Sequence, residues 1–222
     1  MWPFFIFACV DQQSHLILAA AYLPSVSYFA LLNNAQNAII EQFETYTKQT
    51  FRNRCEIYTE KGKTSLVIPV SKPNGNHTKI KDIQIFNNDN WYVKHWRAIE
   101  SAYQASPYFL YYKDELKSFF DGSYKMLLEF NLALIRHFCN LFDIKTFIQL
   151  SSEYLKSADI DYREVLSPKK PPIIHNFPEY TQVFDAKHGF IPNLSILDLL
   201  FNLGPESRDY LSRLGELLTQ QA

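Results

Sequence analysis

Glycine is scarce in this chain: six among 222 residues. No G-x-G-x-x-G or G-K-[ST] string occurs, which excludes the glycine-rich loops that cradle phosphates in P-loop and dinucleotide-binding folds. The nucleophile elbow G-x-S-x-G is absent too, so a hydrolase of that design is excluded. Cysteine is also rare. Cys9, Cys55 and Cys139 are odd in number and far apart, which argues against a disulfide framework and fits a reducing cytoplasm. No Cys-x-x-Cys pair or Cys/His spacing suggests zinc. His95, His137, His175 and His188 are widely separated and read as packed or surface histidines rather than metal ligands. Lys and Arg are missing before Lys48. The apolar opening, MWPFFIFACV, is half the length of the about 20 residues a membrane span needs. Without basic residues ahead of it or a small-residue cleavage site, it also makes a poor secretory signal. Residues 1–14 are therefore read as an N-terminal extension: a core strand or a misassigned start, with a degenerate signal as the alternative. The formal net charge is -1, so no general attraction to nucleic acid or an anionic membrane is implied.

Aromatic side chains, by contrast, make up 16% of the chain and hydrophobic residues 47%. They can supply a substantial core, and the length suits one large domain, or one with a small appendage. The run His15–Tyr22 reads as a buried strand, Val26–Asn33 as a helix begun by Pro24 or Ser25, and Ala38–Gln42 as a second buried strand. This is a compact βαβ-like unit. A hairpin is expected over Cys55–Val70, turning at Glu60–Lys63 with Gly62 available for positive φ. A loop over Ser71–Thr78 and a strand over Lys79–Ile85 follow. Helices are expected over Trp91–Gln104, Tyr108–Phe120 and Tyr124–Phe142, with a strand at Thr146–Leu150. Residues 156–178 hold Pro168, Pro171, Pro172 and Pro178 and read as an extended connection. In the closing segment, 180–216, Asn193 or Ser195 caps a helix that Gly204-Pro205 stops. The expectation is an α/β single domain with a mixed sheet, the βαβ-like unit, the hairpin and flanking helices.

The stretch between the second strand and the hairpin is dense in hydrogen-bonding side chains. Glu41, Gln42, Glu44, Tyr46, Lys48, Gln49, Arg52, Asn53 and Arg54 fall within fourteen residues. It follows the carboxyl end of a strand, where α/β folds bind ligands, and sites are commonly carried on loops held by a rigid scaffold. On an extended backbone Arg52 and Arg54 share a face, and paired guanidinium groups suit phosphate or carboxylate. Glu41 or Glu44 could serve as a base if burial raises its pKa. The alternative is a salt-bridged loop that pins the hairpin. On the helix at Trp91, His95 lies on an apolar stripe with Trp91, Ile99 and Ala102, while Trp96, Glu100 and Tyr103 form an adjoining face. Arg97 can pair along the same helix.

The strings AYLPSVSYFALL, EQxExYxKQxxRNR, KHWRxIExAYxxSPY and HGFIPNLSILDLLFNLGP together resemble the WbqC-like protein family, in the variant common among Bacteroidetes-type bacteria. The resemblance spans roughly residues 16 to 212. The family is associated with O-antigen and surface-polysaccharide gene clusters, and glycyl transfer to a sugar has been proposed for a member. The positions that match are Tyr22, Pro24, Glu41, Gln42, Glu44, Tyr46, Lys48, Gln49, Arg52, Asn53, Arg54, Lys94, His95, Arg97, Glu100 and Tyr103. Two departures stand out. Family members often carry Gln or His where this chain has Ala20 or Ala21, and His where it has Phe43.

The resemblance implies a transferase passing a glycyl or related acyl group to an amino sugar. Glu41, Glu44 or His95 would then be the catalytic base. Tyr22, Gln42, Tyr46, Lys48, Gln49, Arg52, Asn53, Arg54, Arg97 and Tyr103 would contact substrate. The implied partner is a small molecule such as a nucleotide-linked sugar, with no nucleic acid polymer and no integral membrane segment; a homo-oligomer is compatible with the chain. No cofactor is specified and no metal is expected. The alternative reading is a non-catalytic sugar-nucleotide-binding or scaffolding protein of the same pathway.

Overall fold

The computed structural model describes residues 15–156 and 160–221; the expectations for residues 1–14, Cys9 included, lie outside them. In chain order come β1 (Leu16–Ala19), α1 (Val26–Asn34) and β2 (Asn37–Glu41). The hairpin is β3 (Arg54–Thr59) and β4 (Gly62–Val67), and a shorter ladder follows from β5 (Val70–Ser71) and β6 (Gln84–Ile85). Helices α2 (Trp91–Tyr103), α3 (Phe109–Lys117) and α4 (Leu127–Leu141) lead to β7 (Phe147–Leu150) and β8 (Ile160–Asp161). Three helices close the chain: α5 (Asp185–His188), α6 (Ile196–Leu203) and α7 (Ser207–Gln221). No helix among the described residues is long and apolar enough to cross a membrane. Cys55 and Cys139 are free and buried.

The main sheet runs β7-β2-β1-β8, every pairing parallel. Leu16, Ile17 and Leu18 are all buried, as an unbroken apolar run in a strand covered on both faces must be. Helix α1 is apolar on nearly every side, with seven of its nine residues buried: it packs against α6 and α7, and its Tyr28 hydroxyl donates to the Ala19 carbonyl at the end of β1. Its N-terminus is capped from far along the chain. Asn193 Oδ1 accepts the Ser27 N–H at 2.9 Å, and the Leu194 carbonyl accepts that of Val26. Ser195 caps α6 itself, accepting the Leu197 N–H. The antiparallel ladders are β3-β4 and β5-β6, and isolated antiparallel bridges join Ser25 to Ser195, Thr45 to Lys79 and Gln84 to Met126; Gly62 takes φ +88° at the hairpin turn.

Three local expectations are corrected. Lys79–Ile85 is not one strand: Lys79 makes a lone bridge to Thr45, Ile80–Asp82 forms a 3₁₀ turn, and Gln84–Ile85 pairs as β6. Ile80, Ile83 and Ile85 are all buried, and a straight strand cannot put positions three apart on one face. The long helix starts at Leu127 rather than Tyr124, because Met126 is still extended and bridges to Gln84. The Pro-rich connection opens with a strand, β8, which lies ahead of its first proline and docks beside β1.

Candidate anion-binding cleft

In the main sheet, β1 leads through α1 to β2 on one side, while β8 lies on the other. The carboxyl ends of β1 and β8 thus diverge, and open α/β sheets bind ligands at such a switch point. A narrow cleft lies there, lined by Ala19 at the end of β1, Ala21 and Ser25 after it, Tyr162 and Arg163 after β8, and Arg52. It shares Ser25, Phe51 and Leu166 with a wider outer cleft. The outer wall carries Pro168, Pro171 and Pro172, with Lys63, Lys170 and Asn193 at its rim.

Arg52 is 2% exposed. Its Nε and Nη2 donate side-on to the two Glu44 carboxylate oxygens, both at 2.7 Å, and Nη2 also donates to Glu164 at 3.1 Å. Burial pushes the Glu44 carboxyl upward, and the Arg52 hydrogen bonds and charge pull it back. Arg163 is likewise buried. It forks onto Asp161, reaches Glu41 at 3.6 Å, and stacks 5.6 Å from the Tyr154 ring centre. Both arginines thus line the inner cleft with their guanidinium groups already paired, and the carboxylate partners stand outside its lining.

Glu41 ends β2 completely buried. One oxygen accepts the Phe43 N–H at 2.7 Å and the Ser151 hydroxyl at 2.9 Å; the other accepts the Leu155 N–H at 2.9 Å. Gln42 ties to the same segment, its Nε2 donating to the Ser151 carbonyl at 2.6 Å. Both side chains hold the strand ends in place. Asn53 donates to the Ile68 carbonyl. Tyr46 is buried, its phenol raised to about 12 by burial. Lys48 and Gln49 are exposed, with Gln49 at φ +58°. Arg52 lies in the turn before β3, so the strand alternation that would align it with Arg54 begins only at Arg54, which is half-buried. Of the arginines in this loop, Arg52 alone lines the cleft.

The α2 residues lie apart from the cleft lining. His95 Nδ1 is 2.9 Å from the Tyr22 hydroxyl, both within an aromatic cage of Trp91 and Phe130. Burial lowers the His95 imidazole to about 4, with a Val67 backbone hydrogen bond opposing. Tyr103 is fully buried, its hydroxyl accepting the Tyr58 N–H at 3.1 Å. Arg97 is exposed. At the two departures noted above, Ala21 lines the inner cleft, and the Phe43 ring lies beneath Lys79 and Lys81 at 5.4 and 4.7 Å.

Sequence reasoning missed Arg163, Glu164, Asn131 and Ser151. Asn131, on α4, donates to the carbonyls of Ala20 and Arg52 at 3.1 and 2.7 Å, fastening the end of β1 to the arginine turn. A polar residue inside an otherwise apolar helical stripe was its one available signal. Arg163 had none: an arginine after a two-residue strand has no periodic context.

A model of the WbqC-like protein family matches residues 20–167 and 173–210. An uncharacterized protein of Mycobacterium tuberculosis (strain ATCC 25618 / H37Rv), Rv1507c, is 30% identical over 222 residues, covering 88% of this chain and 96% of its own. No solved structure matches. The matched ranges take in α1, β2 to β8, both arginines of the cleft and α6, and the chain belongs to the WbqC-like protein family.

Proposed function

We propose that the protein is a transferase that binds a nucleotide-linked amino sugar in this cleft and places a glycyl or related acyl group on its amine, in surface-polysaccharide assembly. The observation that carries the reading is the pair of buried arginines, Arg52 and Arg163, facing the inner cleft at the carboxyl ends of β1 and β8. Guanidinium groups are donors matched to phosphate or carboxylate, and the outer cleft adds Lys63 and Lys170 beside proline surface of a kind that packs against a sugar or base. The sugar amine attacks the carbonyl carbon of an activated glycyl donor, such as an acyl ester or thioester. A C–N bond forms, the bond to the leaving group breaks, and the leaving group departs with the electron pair. Glu44 is the group we assign to take the amine proton: burial raises its carboxyl, and because it stands outside the cleft lining with both oxygens on Arg52, one oxygen must leave that pair to reach the amine.

Incubation of the purified protein with activated glycine donors and nucleotide amino sugars, read by mass spectrometry, tests this. The expected product carries the mass of one glycyl residue on the acceptor and disappears in Glu44→Gln. No product across a broad donor and acceptor panel refutes the transfer.

A specific observation favours a second reading, a non-catalytic sugar-nucleotide binder or scaffold. Glu41 and Glu44 both spend their oxygens on internal partners, and His95 is sequestered against Tyr22. Binding of unaltered ligand that Glu44→Gln leaves intact supports it.

A further inference from the structure

Strand β7 borders the main sheet, and among the described residues nothing pairs with its outer edge. The Phe147 N–H donates to the Gln36 carbonyl and the Ser151 N–H to the Ile40 carbonyl. Odd-numbered residues therefore turn their backbone groups toward β2, and alternation points those of Ile148 and Leu150 outward. Such an edge is normally guarded by charge, proline or a bulge. Here the strand reads Phe-Ile-Gln-Leu, with Phe147 63% and Leu150 36% exposed.

We propose that a second copy of this chain pairs antiparallel with this edge, across a two-fold axis normal to the sheet, and so doubles the four-stranded sheet. Such an axis joins like faces, so an odd residue opposes an odd one and an even residue an even one. Two registers meet that condition near the strand centre. Centred on Gln149, the register sets Ile148 against the partner's Leu150 and Leu150 against the partner's Ile148. All four outward backbone groups at each pair then have mates. It also carries Lys145, 79% exposed and bridged to Asp143 of its own chain, to the end where the partner's Glu153 is exposed. Centred on Ile148, the register would instead bring Asp143, already bridged to Lys145 and Arg208 of its own chain, toward the partner's Glu153 and give that carboxylate no cation directly opposite. Charge therefore selects the Gln149 register. The contact lies at the opposite border of the sheet from β8, which leaves the cleft open.

The Gln149 pair would be a non-hydrogen-bonded one, with Cα atoms about 4.5 Å apart, within disulfide range. Oxidised Gln149→Cys is expected to give a reducible symmetric dimer well above the level seen in wild type and in a Tyr154→Cys control. Sedimentation of the full wild-type chain is expected to show a concentration-dependent dimer. Lys145→Glu or Glu153→Lys alone should weaken it about tenfold, and the two changes together should restore it. A wild-type chain that stays monomeric at every concentration overturns the proposal. So does Gln149→Cys cross-linking no better than Tyr154→Cys, and so does a dimer indifferent to the charge swap.

Discussion

Glu44 and Arg52 meet side-on, with two hydrogen bonds of 2.7 Å in a site where neither side chain is more than 8% exposed. Eight residues apart in sequence, they close the polar loop upon itself. They also fix the guanidinium that faces the cleft. Removing one member of such a pair leaves a buried charge without its partner, which costs far more than removing both.

Arg52→Ala is therefore expected to lower stability by about 3–5 kcal/mol. The double variant Arg52→Ala/Glu44→Ala should lose less than Arg52→Ala alone. Chemical denaturation of the four members of the cycle measures the coupling. A loss below about 1 kcal/mol for Arg52→Ala would place the pair with exposed ion pairs and contradict its buried geometry.

Asn131 joins α4 to the end of β1 and to the arginine turn through its two donated hydrogen bonds. Asn131→Leu should cost about 2–3 kcal/mol, since the carbonyls of Ala20 and Arg52 would stay buried and unpaired. Thermal melts compare it with wild type, and an unchanged midpoint would mean those carbonyls find other partners.

Arg163→Ala should weaken binding of a nucleoside diphosphate probe about tenfold, equivalent to about 1.4 kcal/mol. Lys48→Ala, on the exposed loop and outside the cleft lining, should leave affinity unchanged. Titration calorimetry reads both. Equal effects from the two variants would detach the cleft from anion binding.

Stability should respond to pH through two buried groups of opposite sign. Asp198 accepts the Tyr180 hydroxyl and the Gln182 amide, each at 2.7 Å, and burial raises it from 3.8 to about 6. The folded chain holds that proton longer than the unfolded one, so this contribution is full below about pH 4 and is lost as pH rises toward 6. His95, lowered from 6.5 to about 4, does the reverse: its contribution is full above about pH 6.5 and is lost as pH falls toward 4. Each amounts to about 3 kcal/mol at its limit. Relative to wild type, Asp198→Asn should become more stable with rising pH across this window, and His95→Gln less stable. Melting curves from pH 4 to 7 read the slopes, and slopes of the same sign for both variants would refute the assignment.

Much of the fold is legible in the residue pattern. The apolar runs at Leu16 and Ala38, the helix between them, the Gly62 turn and the stripe from Trp91 through Ile99 each report a local requirement: burial on both faces, a left-handed backbone, a helical period. The polar string from Glu41 to Arg54 announces itself by composition alone. None of this says which of its side chains reach the cleft. Tertiary structure decides that. Arg163 enters only because β8 docks beside β1, Asn193 caps α1 only because the chain end folds back, and His95 is withdrawn from the cleft by its contact with Tyr22. The physical reason is that periodicity and turn chemistry act over a few residues, whereas a site is assembled by hydrogen bonds and ion pairs between residues separated by tens to more than a hundred positions. The sequence determined the parts and the family signature; the packing of β8 against β1 determined which arginines share a cleft.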